Sequence, residues 1–156
     1  MTTINRDATI EISASAEKLW NILADDFTEV SKWVDSVISS GPNPAAPNGL
    51  NGSRHGGRVC EVQGIGKTEE ILTAYDAENR SLSYSVEAAN FPGFLEKIEN
   101  TWRVQQIDEN NSNVTVSLEI SVSGDGEPGS PEVGFAEQIA STVDTAGQQL
   151  KSFAEA

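Results

Sequence analysis

Apolar and polar side chains alternate from the start of the chain. Ala8, Ile10 and Ile12 are separated by Thr9 and Glu11, a period of two that predicts a strand with one buried face. The stretch from Ser13 to Lys18 supplies a Ser cap, helix formers and an early Glu, and so predicts a helix start. Leu19, Trp20 and Leu23 are its apolar side. Phe27, Val30, Trp33 and Val34 recur at helical spacing and predict a second short helix over 27–34. A short strand is expected over 37–40, and the Gly-, Pro- and Asn-rich segment 41–57 reads as a long loop.

Further strands are expected over 58–62, 67–75, 81–88, 94–107 and 113–123, divided by turn residues such as Gly64-Ile65-Gly66 and Asn90-Phe91-Pro92-Gly93. In the last of them Val114, Val116, Leu118, Ile120 and Val122 alternate with polar residues without a break, so one face lies in a core and one in water. Ser130-Pro131-Glu132 then reads as a helix start, with a cap, a proline at the first helical position and a carboxylate against the dipole. Phe135, Ile139, Val143, Ala146, Leu150 and Phe153 follow as an apolar stripe over about six turns, long enough that only a sheet can cover it. Segregated strands and helices predict an α+β fold in a single domain over 1–156. A curved antiparallel sheet of about six to seven strands would wrap a long C-terminal helix, with two short helices after the first strand closing one end.

Composition narrows the functions. Lys and Arg number 10 against 24 Asp and Glu, a net charge of −14. That balance speaks against nucleic acid, whose binding is largely neutralisation of phosphates, and against anionic lipid surfaces. Ten aromatic residues, three of them Trp, argue for a packed core. The N-terminus is not patterned as a signal peptide and no apolar run suits a membrane helix, so integral membrane association is not expected and the expected compartment is cytoplasmic. Sequons at Asn51, Asn79, Asn110 and Asn113 are then without meaning. A single Cys and a single His support neither a disulfide nor a metal site, and no metal or cofactor is expected.

Several stretches, taken in order, resemble the START-like (SRPBCC) superfamily, particularly its polyketide cyclase/dehydrase-type branch. They are residues 10–20 (Ile-Glu-Ile-Ser-Ala-Ser-Ala-Glu-Lys-Leu-Trp), Trp33, Gly57-Arg58, residues 70–76, Arg80 to Tyr84, Pro92 and Thr101-Trp102-Arg103-Val104. The resemblance implies a helix-grip fold around a deep apolar cavity, in agreement with the pattern above. It also implies binding of a hydrophobic or amphipathic small molecule. Some branches cyclise or dehydrate a bound polyketide, and others transport lipids or sense hormones.

Strand alternation assigns the inward side chains. Arg58, Cys60 and Val62 are expected to face inward, as are Thr68, Glu70, Leu72 and Ala74. Leu82, Tyr84, Val86 and Ala88 form the next inward face, and Phe94, Glu96, Ile98, Asn100, Trp102 and Val104 the one after. Apolar walls with a few placed polar groups are the usual make-up of a ligand pocket. Arg58 and Glu70 lie on strands joined by a turn and are expected side by side, either orienting a ligand oxygen or forming a structural ion pair. Tyr84 either donates to a ligand or is a satisfied core aromatic. The candidate ligand-binding residues are Trp33, Arg58, Glu70, Tyr84, Phe91, Phe94, Asn100 and Trp102. Arg58, Glu70 and Tyr84 are also the candidates for catalysis.

Other signals fall away. His55 reads as a loop residue and Cys60 as a small buried apolar one. Gly66-Lys67-Thr68 is not a phosphate-binding loop, because Glu61 stands where a glycine is required and a strand follows. Glu69 and Glu70 are strand neighbours on opposite faces and cannot act as a dyad. The leading expectation is a cofactor-free binder of a hydrophobic small molecule, acting as a monomer or homodimer. A polyketide cyclase or dehydratase and a protein-interaction module are the alternatives.

Overall fold

The computed structural model describes residues 1–156 and contains a seven-stranded, wholly antiparallel sheet. Strand β1 (Thr2–Ile12) is followed by a short helix α1 (Ala16–Trp20), whose first turn is capped by the Ser15 hydroxyl accepting from the Lys18 amide at 3.1 Å. A wide turn over Asn21–Asp25 and a 3-10 segment over Phe27–Lys32 continue it. Then come β2 (Val37–Pro42), β3 (Gly57–Val62), β4 (Gly66–Asp76), β5 (Ser81–Ala88), β6 (Leu95–Asp108) and β7 (Asn111–Val122). Two helices, α2 (Pro131–Ala140) and α3 (Thr142–Glu155), end the chain. The strand order is β1-β7-β6-β5-β4-β3-β2, so β1 crosses to pair with the last strand.

Three differences from the pattern have physical causes. β1 begins at Thr2, well before Ala8, because β7 offers a ladder from Thr2–Val122 to Ile12–Ser112 and tertiary pairing overrides a weak local pattern. A bulge at Thr73, between Leu72 and Ala74, shifts the alternation of β4 by one residue. Ala74 is therefore exposed, and Tyr75 turns to pack on Trp20 with ring centroids 5.5 Å apart. A second bulge, between Leu95 and Lys97 in β6, puts Glu96 in solvent and Leu95 against the core.

The C-terminal helix is bent, not continuous. At the junction the Ser141 hydroxyl donates to the Gln138 carbonyl and the Thr142 hydroxyl to the Ile139 carbonyl, both at 2.7 Å, a back-bonding that bends helices. Ala136, Ala140, Val143, Gly147, Leu150 and Ala154 are its buried line. Small residues there let the helix lie close to the sheet: a Cβ on Gly147 would sit 3.5 Å from the Ile10 methyl. Phe153, expected in the stripe, is 40% exposed. The core joins this line to the inner faces of β5, β6 and β7 and to Leu19, Leu23, Phe27 and Val30. No helix is long and apolar enough to cross a membrane.

Candidate functional site: a cavity with one polar end

Between the inner face of the sheet, the 3-10 segment and the bent helix lies a cavity of about 550 Å³. Strand register lays a polar lane across its floor. Arg58 of β3 stands opposite Glu70 of β4, and Tyr84 of β5 stands opposite Asn100 of β6. Leu118 of β7 stands opposite Asn100 and lines the cavity beyond it, so an apolar side chain continues the floor.

Arg58 is almost entirely buried and is fixed on several sides. Its Nε donates to the Glu70 carboxylate, and Nη1 donates to the Phe27 carbonyl at 2.9 Å. The guanidinium carbon lies 4.1 Å from the Phe27 ring centroid and 4.8 Å from that of Tyr84, in reach of cation–π attraction to both. Burial works against its charge, but the Glu70 carboxylate beside it prevails and holds the group more firmly protonated than usual. Glu70 is held in turn through its backbone. The amide of Asn43, a buried polar side chain in the loop before β3, donates to the Glu70 carbonyl at 3.2 Å.

Tyr84 accepts two hydrogen bonds at its hydroxyl, from Asn100 Nδ2 at 3.1 Å and from Trp102 Nε1 at 3.2 Å. Burial is the main cause that pushes its pKa up to about 12, so at neutral pH the phenol keeps its proton and can donate it. Asn100 Oδ1 is buried without a partner. Turning the amide over would let Tyr84 donate to Oδ1 but leave Nδ2 unpaired instead. In either orientation one polar atom of Asn100 is left for something else, and an unmade buried hydrogen bond costs about 1–3 kcal/mol.

Trp33 and Trp102 meet edge to face in the cavity wall, with centroids 5.7 Å apart and planes at 84°. Phe91 also lines the cavity and meets Phe135 of α2 edge to face, with ring centroids 6.3 Å apart. Phe94 does not line it; that ring packs on Phe135 at 5.6 Å, outside the wall. Of the eight sequence candidates, Trp33, Arg58, Glu70, Tyr84, Phe91, Asn100 and Trp102 share this one space.

The bent helix completes the lining with Ile139, Thr142, Ala146 and Gln149, at spacings of three, four and three that place them on one face. Ile139 and Ala146 belong to the expected apolar stripe, whereas Thr142 and Gln149 are polar, and a pattern of apolar residues alone passes over them. Asp35, Ser36, Gln63 and Thr142 line the cavity yet are exposed, and they mark its mouth. His55 is not in the lining. Cys60 is, but burial pushes its thiol up to about 11, leaving it a poor nucleophile. No cluster of three or more His, Cys, Asp or Glu side chains is placed to hold a metal ion.

Nearly the whole chain, residues 3–155, matches the model of the polyketide cyclase / dehydrase and lipid transport family. The chain belongs to that family. No curated protein matches its sequence. Solved structures of similar fold include a START superfamily protein of Mycobacterium smegmatis, 16% identical with a TM-score of 0.72 and 97% of each chain covered. Another is the Zhui aromatase/cyclase of Streptomyces sp. R1128, 14% identical, TM-score 0.73, covering 99% of this chain and 94% of that one. A norcoclaurine synthase of Thalictrum flavum is 14% identical with a TM-score of 0.72 over 98% and 94% of the two chains. At such identities the likeness shows the START-like helix-grip fold, as the family model does, and leaves the chemistry to the site.

Proposed function

We propose that the protein binds a small, largely apolar molecule in this cavity and orients it through one neutral oxygen, a carbonyl or hydroxyl, at the polar end. The observation that carries the reading is the pairing of Arg58 with Glu70 in a buried wall. The guanidinium charge is already balanced, so a carboxylate arriving there would bring an uncompensated charge into an apolar space at high cost. A neutral oxygen would accept from the Tyr84 hydroxyl or from a free guanidinium N–H without that cost. Asn100 supplies a further unpaired polar atom on the same floor.

Titration with the neutral apolar fluorophore N-phenyl-1-naphthylamine tests this reading, followed by displacement with long-chain ketones, alcohols and carboxylates of equal length. Saturable one-to-one binding is expected, with ketone or alcohol displacing the probe at lower concentration than carboxylate. Absence of saturable binding would overturn the binding reading, and preferred displacement by carboxylate would overturn the neutral-oxygen assignment. Native mass spectrometry of protein from its own host would then identify the class of molecule that co-purifies.

A second reading is favoured by the protonated, buried Tyr84 beside Arg58, a pair suited to polarising a carbonyl. In that case the protein is a cofactor-free cyclase or dehydratase, which holds a flexible polyketide-like chain in one reactive conformation. Arg58→Ala and Tyr84→Phe would then lose turnover while retaining probe binding. Turnover unchanged in both variants removes them from any mechanism.

A further inference from the structure

The sheet is not closed over the cavity. Pairing between β5 and β6 runs from Ser81–Arg103 to Ser85–Glu99 and stops there. The outer partners of the same segments continue: β5 stays on β4 as far as Ala88–Thr68, and β6 stays on β7 as far as Leu95–Val122. The two strands therefore part like an opened seam, with the bulge at Glu96 adding twist on the β6 side. A second hollow of about 550 Å³ lies over this seam, among the exposed side chains of Lys67, Glu69, Glu87 and Lys97 on the outer face of the sheet. Three side chains line both spaces, Val86, Phe91 and Ile98. They are the partition between the inner cavity and the outer hollow.

We infer that the seam between β5 and β6 is a second opening of the cavity, through which the apolar ligand passes by displacing Val86, Phe91 and Ile98. The inference rests on the cavity-binding reading above. An apolar molecule passing between packed Val and Ile side chains breaks no backbone ladder, because none is formed there. Phe91 sits on the connection between the strands and packs edge to face on Phe135, so it can swing without unravelling either strand. Lysines and glutamates of both signs surround the outer hollow, which therefore presents little net barrier to an uncharged ligand. The mouth at Asp35, Ser36 and Gln63 is a separate opening on the helix side.

The test is a clamp across the seam. Glu87→Cys and Lys97→Cys are introduced together and joined with a short bis-maleimide, and N-phenyl-1-naphthylamine association and dissociation are followed by stopped flow. Clamping is expected to slow both rates by about tenfold while changing the dissociation constant by less than about twofold, since the path and not the bound state is altered. The same linker across Thr9→Cys and Thr115→Cys, an exposed pair of β1 and β7, is expected to change neither rate. Phe91→Ala, which thins the partition and needs no linker, is expected to raise both rates. Binding with rates unaltered by the clamp and by Phe91→Ala overturns the second opening alone. If the unclamped parent binds no probe, the cavity-binding reading fails and the opening fails with it.

Discussion

At the scale of single residues, Tyr84 and Arg58 show how burial and a partner act on charge in opposite ways. The guanidinium keeps its charge because Glu70 answers it, whereas the phenol keeps its proton because burial strips it of water and the nearby Arg58 charge and Trp102 N–H offset that loss only in part. The phenol's shift has a consequence for stability. The folded pKa of about 12 lies above the usual value of 10.0, so the native state holds its proton where the unfolded chain has lost it. Stability from this group is complete below pH 10 and is lost as pH rises through 12. Denaturant melts across that window should show the loss, and Tyr84→Phe should show a shallower one. An equal slope in the variant would assign the alkaline loss to other groups.

At the scale of elements, two glycines look alike in the sequence and behave oppositely in the fold. A Cβ on Gly57 would stand 2.3 Å from the Glu70 carbonyl oxygen, a backbone atom that also accepts from Asn43. Gly57→Ala should therefore push β3 from β4 where Arg58 meets Glu70, with a loss of about 1–3 kcal/mol typical of overpacking. Gly147 lies inside α3, and its Cβ would make an ordinary contact with Ile10. Gly147→Ala should stabilise the protein by about 0.5–1 kcal/mol through helix propensity alone. Urea unfolding of the two variants reads both signs, and a stabilised Gly57→Ala would mean that β3 and β4 are looser there than their register indicates.

At the scale of the whole molecule the net charge of −14 is the dominant field. The ion pairs other than Arg58–Glu70 are largely exposed, such as Arg6–Asp144 and Lys67–Glu69, and each contributes little. Repulsion among the carboxylates outweighs them, and salt screens it over about 10 Å at 0.1 M. The melting temperature should therefore rise as sodium chloride is added from a low-salt buffer; a fall would mean that the exposed pairs outweigh the repulsion. The large exposed apolar residues, Ile38, Ile71, Ile107 and Phe153 among them, sit on different elements, and such scattered residues are ordinary on a protein surface.

The order of the elements, and the buried face over most of each strand, follow from the sequence without the fold. Period-two alternation along β7 and the capped apolar stripe that opens at Ser130 are local properties, written wherever one face of an element must leave water. The adjacency of Arg58 and Glu70 was legible too, since a short turn joins their strands. Tertiary structure decided the rest. Single extra residues at Thr73 and Glu96 became bulges because neighbouring strands required it, and they moved Ala74 and Glu96 out and Tyr75 and Leu95 in. Asn43 beneath Glu70, Phe94 outside the wall and the seam between β5 and β6 depend on contacts between segments far apart in the chain. Alternation records whether a side chain is buried; only the packed chain determines what it is buried against, and at a binding site that is where the chemistry lies.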